Sequence, residues 1–245
     1  HADHAESLSN IANTYADMGQ PELAEPYSRE AVEIGRRLAG ESGRLDLARF
    51  LNNYGTVLVD LERFEEAVPL YREVLDIRAR LIGERTESYS ITLSNLGSVL
   101  HAVGDTDEAE QTYRRAIELG EDVLGQDHPR TAVAYSGLAS VLFDRGHYAE
   151  AESLVRRALA VHLTTGGETF WRAAAERRKL GEILMATDRL VDARAELELA
   201  WSGILATRSP TSPWARDIAD SMSRLYARLG EGELAAEWSE RSRTR

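Results

Sequence analysis

A chain of 245 residues with 43% hydrophobic residues, 18 glycines and 6 prolines has enough apolar material to bury an interface between successive helices, which excludes a disordered linker. Its formal net charge of −12 argues against nucleic acid and anionic membrane as partners, because phosphate binding requires a concentrated basic face. The absence of cysteine excludes disulfides, thiolate metal sites and cysteine nucleophiles together, and a reducing, cytoplasmic setting is expected. No run approaches the length of a membrane span. The chain starts at His1 with neither an initiator methionine nor a basic-apolar leader, so it is expected to be a piece of a longer protein.

A small residue stands twelve places before an alanine six times, at a period of 42 or 43 residues. Helical spacing inside a unit of this length is the signature of a solenoid of stacked helical hairpins, which predicts one all-α domain over 1–245. Repeat one (1–41) carries Ala12 and Ala24 on helices near 5–18 and 22–39, reversing at Gly19, with Pro21 in the first turn of the second helix. Repeat two (42–84) carries Gly55 and Ala67 on helices near 46–61 and 64–82, and Glu62 takes the place of the turn glycine. Pro26 and Pro69 fall inside second helices, where each should remove a backbone hydrogen bond and bend the helix.

Repeat three (85–126) has Gly97, Gly104 and Ala109 on helices near 88–103 and 106–124. Its first helix sets Leu93, Leu96, Val99 and Leu100 in one apolar stripe. Repeat four (127–168) opens at Pro129 and carries Ala139, Gly146 and Ala151 on helices near 130–145 and 148–165. Repeat five (169–210) has Gly181, Asp188 and Ala193 on helices near 169–186 and 190–207. Repeat six (211–245) has Ser223, Gly230 and Ala235 on helices near 214–229 and 232–244, and closes on the polar Arg241-Ser-Arg-Thr-Arg245. The glycines between helices supply the left-handed backbone that stops one helix and starts the next. The recurring small residue and alanine are expected where the two helices of a hairpin cross closely.

A small residue at the eighth place of the unit, alanine at the twentieth and a small residue at the twenty-seventh (Ala31, Ala116, Ala158, Ala200) resemble the tetratricopeptide repeat (TPR) over the whole chain. The 42-residue period and the linker Leu124-Gly-Gln-Asp-His-Pro-Arg-Thr-Ala132 are similar to the kinesin-light-chain type of repeat. The closing stretch, from Trp214-Ala-Arg-Asp through Leu225-Tyr-Ala-Arg-Leu-Gly to Ala235-Ala-Glu-Trp238, resembles the repeat arms trailing bacterial serine/threonine kinases. The resemblance implies a right-handed superhelix whose first helices line a concave, ligand-holding face. It also implies an interaction or regulatory arm with an effector domain in the same parent chain.

The family register assigns the face to the fifth, sixth, ninth, twelfth and thirteenth places of each unit. These give Ser9, Asn10, Asn13 and Asp17, then Asn52, Asn53, Thr56, Val59 and Asp60, then Ser94, Asn95, Ser98 and His101. Repeat four gives Ser136, Ser140, Phe143 and Asp144; repeats five and six give Arg178, Lys179, Met185, Arg224 and Arg228. Asn10, Asn53 and Asn95 match the asparagine with which the family holds an extended peptide backbone, since an amide supplies donor and acceptor together. The other reading is that these asparagines bond to neighbouring helices. Gly137, Lys179 and Ser221 replace them in later repeats. Ile91, Val133, Phe143 and Met185 are candidates for an apolar floor. Arg178, Lys179, Arg224 and Arg228 either attract an acidic peptide segment or are scattered solvated charges.

The basic residues of a chaperone-type carboxylate clamp are replaced by Ser9, Ile91 and Asn95. The six histidines form no HExxH motif, Gly166-Gly167 lacks a following Gly-Lys-Ser/Thr, and no carboxylate is partnered as nucleophile or base. The expectation is therefore a non-enzymatic chain without cofactor or metal that binds a protein or extended peptide. A peptide-sensing module that changes pitch and a self-associating structural array are the alternatives.

Overall fold

The computed structural model describes residues 2–38, 40, 44–165 and 170–243; His1, the Gly166-Gly167 loop and the last two residues of the basic tail lie outside them. Twelve helices and no strand occur among the described residues. They are α1 (Ala2–Asp17), α2 (Pro21–Leu38), α3 (Arg44–Asp60), α4 (Phe64–Ile82), α5 (Glu87–Ala102), α6 (Thr106–Val123), α7 (Pro129–Asp144), α8 (Tyr148–Thr165), α9 (Phe170–Ala186), α10 (Leu190–Leu205), α11 (Pro213–Leu229) and α12 (Gly232–Arg243). Odd-numbered helices are the first and even-numbered the second members of six hairpins, and each first helix also packs on the second helix before it within its unit. The chain divides into two compact units, His1–Leu124 with α1–α6 and Gly125–Arg245 with α7–α12.

Each hairpin reverses through the same backbone device. In repeat three the Gly104 N–H donates to the His101 carbonyl at 3.1 Å and the Asp105 N–H to the Leu100 carbonyl at 2.9 Å, with Gly104 at φ 88°. Glu62 (φ 57°) and Asp188 (φ 62°) adopt the same left-handed conformation where glycine is missing, at a cost of about 1 kcal/mol each. Where a first helix follows a linker, its N-terminus is capped: Thr86 accepts from the Tyr89 N–H, His128 from Arg130 and Ser212 from Ala215. Pro129 and Pro213 fill the first helical positions, where no N–H is needed. α2 and α4 continue through Pro26 and Pro69 as single helices, so each proline interrupts one intrahelical bond without ending its helix.

The close approach within a hairpin involves a third position. A Cβ added to Gly55 would lie 2.8 Å from the Tyr71 ring, one on Gly97 2.9 Å from the Tyr113 ring, and one on Gly181 2.7 Å from Leu197. The partner stands sixteen residues after the glycine, four beyond the recurring alanine. Repeats with Ala12, Ala139 or Ser223 at the eighth place carry the smaller Ser28, Val155 and Ser239 at that partner position. The two positions therefore share one volume across the hairpin. Ala67, Ala109, Ala151 and Ala193 are fully buried beside them, and the cores are filled by side chains such as Leu51, Leu58 and Leu100 in the first unit and Leu138, Leu180 and Leu197 in the second.

Candidate functional site

In the first unit, α1, α3 and α5 carry Asn10, Asn13, Asn52, Asn53, Asn95 and His101. Asn10 is exposed and the other five are half-buried. The Asn53 amide N–H donates to Ser9 Oγ at 3.1 Å, and that of Asn95 donates to Asn52 Oδ1 at 3.5 Å. A sixth-place amide thus reaches back to the fifth-place residue of the preceding repeat, realising the neighbouring-helix alternative. Each bond uses one of an amide's two N–H groups, so hydrogen-bonding capacity remains.

The second unit repeats this reach with a charge. Lys179 Nζ, on α9, donates to the Ser136 carbonyl at 3.2 Å and lies 2.5 Å from Ser136 Oγ, on α7. Ser9, Ser94, Ser136 and Ser221, expected at exposed places, are buried instead. For Ser9 and Ser136 the reason is that the longer sixth-place side chain of the next repeat lies over the small fifth-place one. Met185 is also buried and does not line an apolar floor, whereas Ile91 is half-buried and Val133 is exposed.

Between α7, α8 and α9 the second unit holds an open cavity of about 190 Å³. Its apolar walls are Ala139 and Phe143 from α7, Val155 from α8 and Ile183 from α9. The Phe143 ring packs at a tilt on Tyr148, with centroids 5.5 Å apart, which fixes that wall. Ser140, Asp144, Arg178, Lys179 and Glu182 provide its polar lining. Phe143, Arg178 and Lys179, three candidates from the sequence, are therefore brought to one concavity.

Arg178 and Arg224 are not scattered solvated charges. Both reach Glu182 Oε1, Arg178 through Nη1 and Arg224 through Nη2, each at 2.8 Å; Ser221 Oγ stands 2.9 Å from the same oxygen. Arg228 bonds the Met185 carbonyl and Asp188, the latter at 2.8 Å. Lys179, the only lysine of the chain, makes no ion pair among the described residues. Glu182 stands at the ninth place of repeat five, a face position that the sequence candidates did not include. Its position four residues after Arg178 and one repeat before Arg224 was the available signal.

Behind this face, in α8, His162 is buried and its Nδ1 has no hydrogen-bond partner. Burial, reinforced by the Arg172 and Lys179 cations, pushes its pKa down to about 4, so the imidazole is neutral at physiological pH. Glu176 on α9 is buried as well, with Oε2 unpartnered. Among the described residues no group of three or more His, Asp or Glu is placed to hold a metal ion, and no helix is long and apolar enough to cross a membrane.

No curated protein matches the sequence. Among solved structures, RapI in its apo form is similar at 16% identity and a TM-score of 0.78, over 99% of this chain and 82% of that one. The kinesin light chain TPR-like repeats of Podosopora anserina are similar at 19% identity and a TM-score of 0.66, over 85% and 99%. A signal transduction ATPase with numerous domains and a tetratricopeptide repeat sensor, from Pyrococcus horikoshii, is similar at 17% identity and a TM-score of 0.72, over 97% of this chain and 36% of that protein. Tetratricopeptide repeat models match residues 3–80 and 88–163, and a second such model matches 136–213. With the helices of its described residues paired as hairpins and its repeats matched over most of the sequence, the chain belongs to the tetratricopeptide repeat family.

Proposed function

We propose that the chain is a non-catalytic protein-interaction scaffold that binds an extended peptide segment on its first helices, and that the cavity of the second unit is where a side chain of that peptide is held. The observation that carries this reading is the juxtaposition of the apolar walls Phe143, Val155 and Ile183 with the Lys179 ammonium, which donates to the oxygens of Ser136. A concave apolar site with a few convergent polar groups is the usual form of a ligand site. Backbone hydrogen bonds from amides such as Asn10, Asn13, Asn53 and Asn95, with pocketed side chains for selectivity, are the physics of extended-peptide recognition. The likeness to a repeat sensor in a signal transduction ATPase supports an interaction or regulatory arm of a signalling protein; a bacterial, cytoplasmic setting is part of the proposal and rests on the sequence alone.

A selection from a random peptide library tests this, run on the wild type, on Asn53→Ala/Asn95→Ala and on Phe143→Ala/Lys179→Ala. The expected result is enrichment with the wild type that falls at least tenfold with the Phe143→Ala/Lys179→Ala variant, at unchanged helicity. Enrichment indifferent to both double variants, or none at all, would overturn the reading in favour of self-assembly or another surface.

A further inference from the structure

The second unit carries a basic and aromatic cluster at the starts of its first helices, which shares no residue with the cavity. Arg130 near the start of α7, Arg172 near the start of α9 and Trp214 near the start of α11 stand at one register place, 42 residues apart. Trp171 and Trp214 pack with ring centroids 5.3 Å apart. The Arg172 guanidinium lies over the Trp171 ring at 4.6 Å; that of Arg208, from the α10–α11 linker, lies over Trp214 at 4.7 Å and 5.8 Å from Trp171. A guanidinium stacked on an indole keeps its in-plane N–H groups for other partners. Elsewhere in the unit arginines spend those groups on carboxylates, as Arg156, Arg177, Arg189 and Arg194 do. The guanidiniums of Arg130, Arg172 and Arg208 make no ion pair among the described residues. Arg130 and Arg208 are exposed and Arg172 is half-buried. Burial pushes the Arg172 pKa below its ordinary value and the Arg130 cation adds to this, while the buried Glu176 acts the other way by less. Arg172 thus feels a like charge more than it feels a carboxylate, and an anion between the guanidiniums relieves that repulsion.

We propose that Arg130, Arg172 and Arg208 form a subsite for a phosphate monoester carried by a phosphorylated side chain of a partner protein. Such a group brings nearly two negative charges and three strong acceptor oxygens, which matches three forked donors. A carboxylate, with one charge and two oxygens, leaves part of that donor set unused. The stacked indoles fix the guanidinium planes before the ligand arrives, so less side-chain freedom is lost on binding. The source is a protein because the cluster lies on an open edge, whereas sites for small free molecules are concave. A protein segment also brings apolar surface of its own to the half-buried Trp171 and Trp214 rings. The chain's net charge of −12 disfavours a polyanion, whose further phosphates the acidic surface repels. This subsite is a second recognition point at the helix ends and does not depend on the peptide-binding reading above.

The test passes a degenerate peptide pool with a fixed central phosphoserine over the immobilised protein at low salt, beside the same pool with serine or glutamate at that place. The wild type is expected to retain the phosphoserine pool at least fivefold better than either of the others, and Arg172→Gln/Arg208→Gln to retain all three alike. Arg130→Gln, on an exposed side chain outside the tryptophan stack, should lower the preference at least twofold. Phe143→Ala/Lys179→Ala and Asn53→Ala/Asn95→Ala should keep it. Circular dichroism melts of each variant exclude unfolding as the cause. A glutamate pool retained as well as the phosphoserine pool, or a preference that survives in Arg172→Gln/Arg208→Gln, overturns the subsite. Displacement of the pool by inorganic phosphate at equal concentration would overturn the protein-borne source. Library enrichment lost in Phe143→Ala/Lys179→Ala, without any phosphoserine preference, would leave the peptide-binding reading standing and remove this one. A phosphoserine preference lost only in the arginine variants, without library enrichment, would do the reverse.

Discussion

Gly97→Ala is expected to destabilise the protein by about 1–3 kcal/mol, although alanine is the better helix former. The added methyl would meet Cδ2 of Tyr113 at 2.9 Å, and that ring is buried between the two helices of its hairpin, with no solvent-facing route of escape. The same substitution in a Tyr113→Val background should be neutral or stabilising by up to about 1 kcal/mol, since the ring is gone and helix propensity alone remains. Repeat four already uses that combination, Ala139 with Val155. Urea unfolding of the two single variants and the double variant, read as a double-mutant cycle, checks this. Equal effects of Gly97→Ala in both backgrounds would mean that the ring does not set the residue at the eighth place.

His162 should make stability fall on acidification within a defined window. The unfolded chain takes up a proton on this histidine near pH 6.5, whereas the folded protein resists until about pH 4. Between those values the unfolded state binds one proton more, so the unfolding free energy falls with falling pH by up to about 1.4 kcal/mol per unit; above about pH 6.5 this contribution is constant. The cations facing the imidazole, Arg172 and Lys179 on α9, oppose its protonation in the same direction as burial. Carboxylates held down by arginine, Glu66 by Arg63 and Glu152 by Arg156 and Arg189, withdraw their contribution only below their ordinary pKa of 4.5. Thermal melts across pH 4.5–7.5 for the wild type and for His162→Leu should therefore diverge only below about pH 6.5, with the leucine variant flatter. Parallel curves would show that the imidazole is not held neutral in the folded state.

The hairpins were legible in the sequence because each depends on local chemistry that recurs. Turn glycines, Pro129, Pro213 and the 42-residue spacing of the alanines place all twelve helices to within three residues, and even the left-handed Glu62 and Asp188 stand where the register put them. The face was legible only in outline. Phe143, Arg178 and Lys179 stand on first helices, as the register has them, but their meeting at one cavity, the burial of Ser136 under Lys179 and the capture of Arg178 and Arg224 by Glu182 depend on how one repeat lies on the next. The steric rule of the hairpin was half seen for the same reason. Spacing revealed the small residue and the alanine, whereas the bulky partner at Tyr71, Tyr113 and Leu197 varies from repeat to repeat and becomes visible only as a shared volume.

That Lys179 is the only lysine gives the account its most direct test. An amine-reactive ester labels this side chain and the N-terminal amine, and peptide mapping by mass spectrometry separates the two sites. With a library-selected peptide at saturation, the account predicts that labelling of Lys179 slows at least fivefold while labelling of the N-terminal amine is unchanged. An unaltered labelling rate at Lys179 with the peptide bound would place recognition elsewhere and contradict the assignment of the α7–α9 cavity.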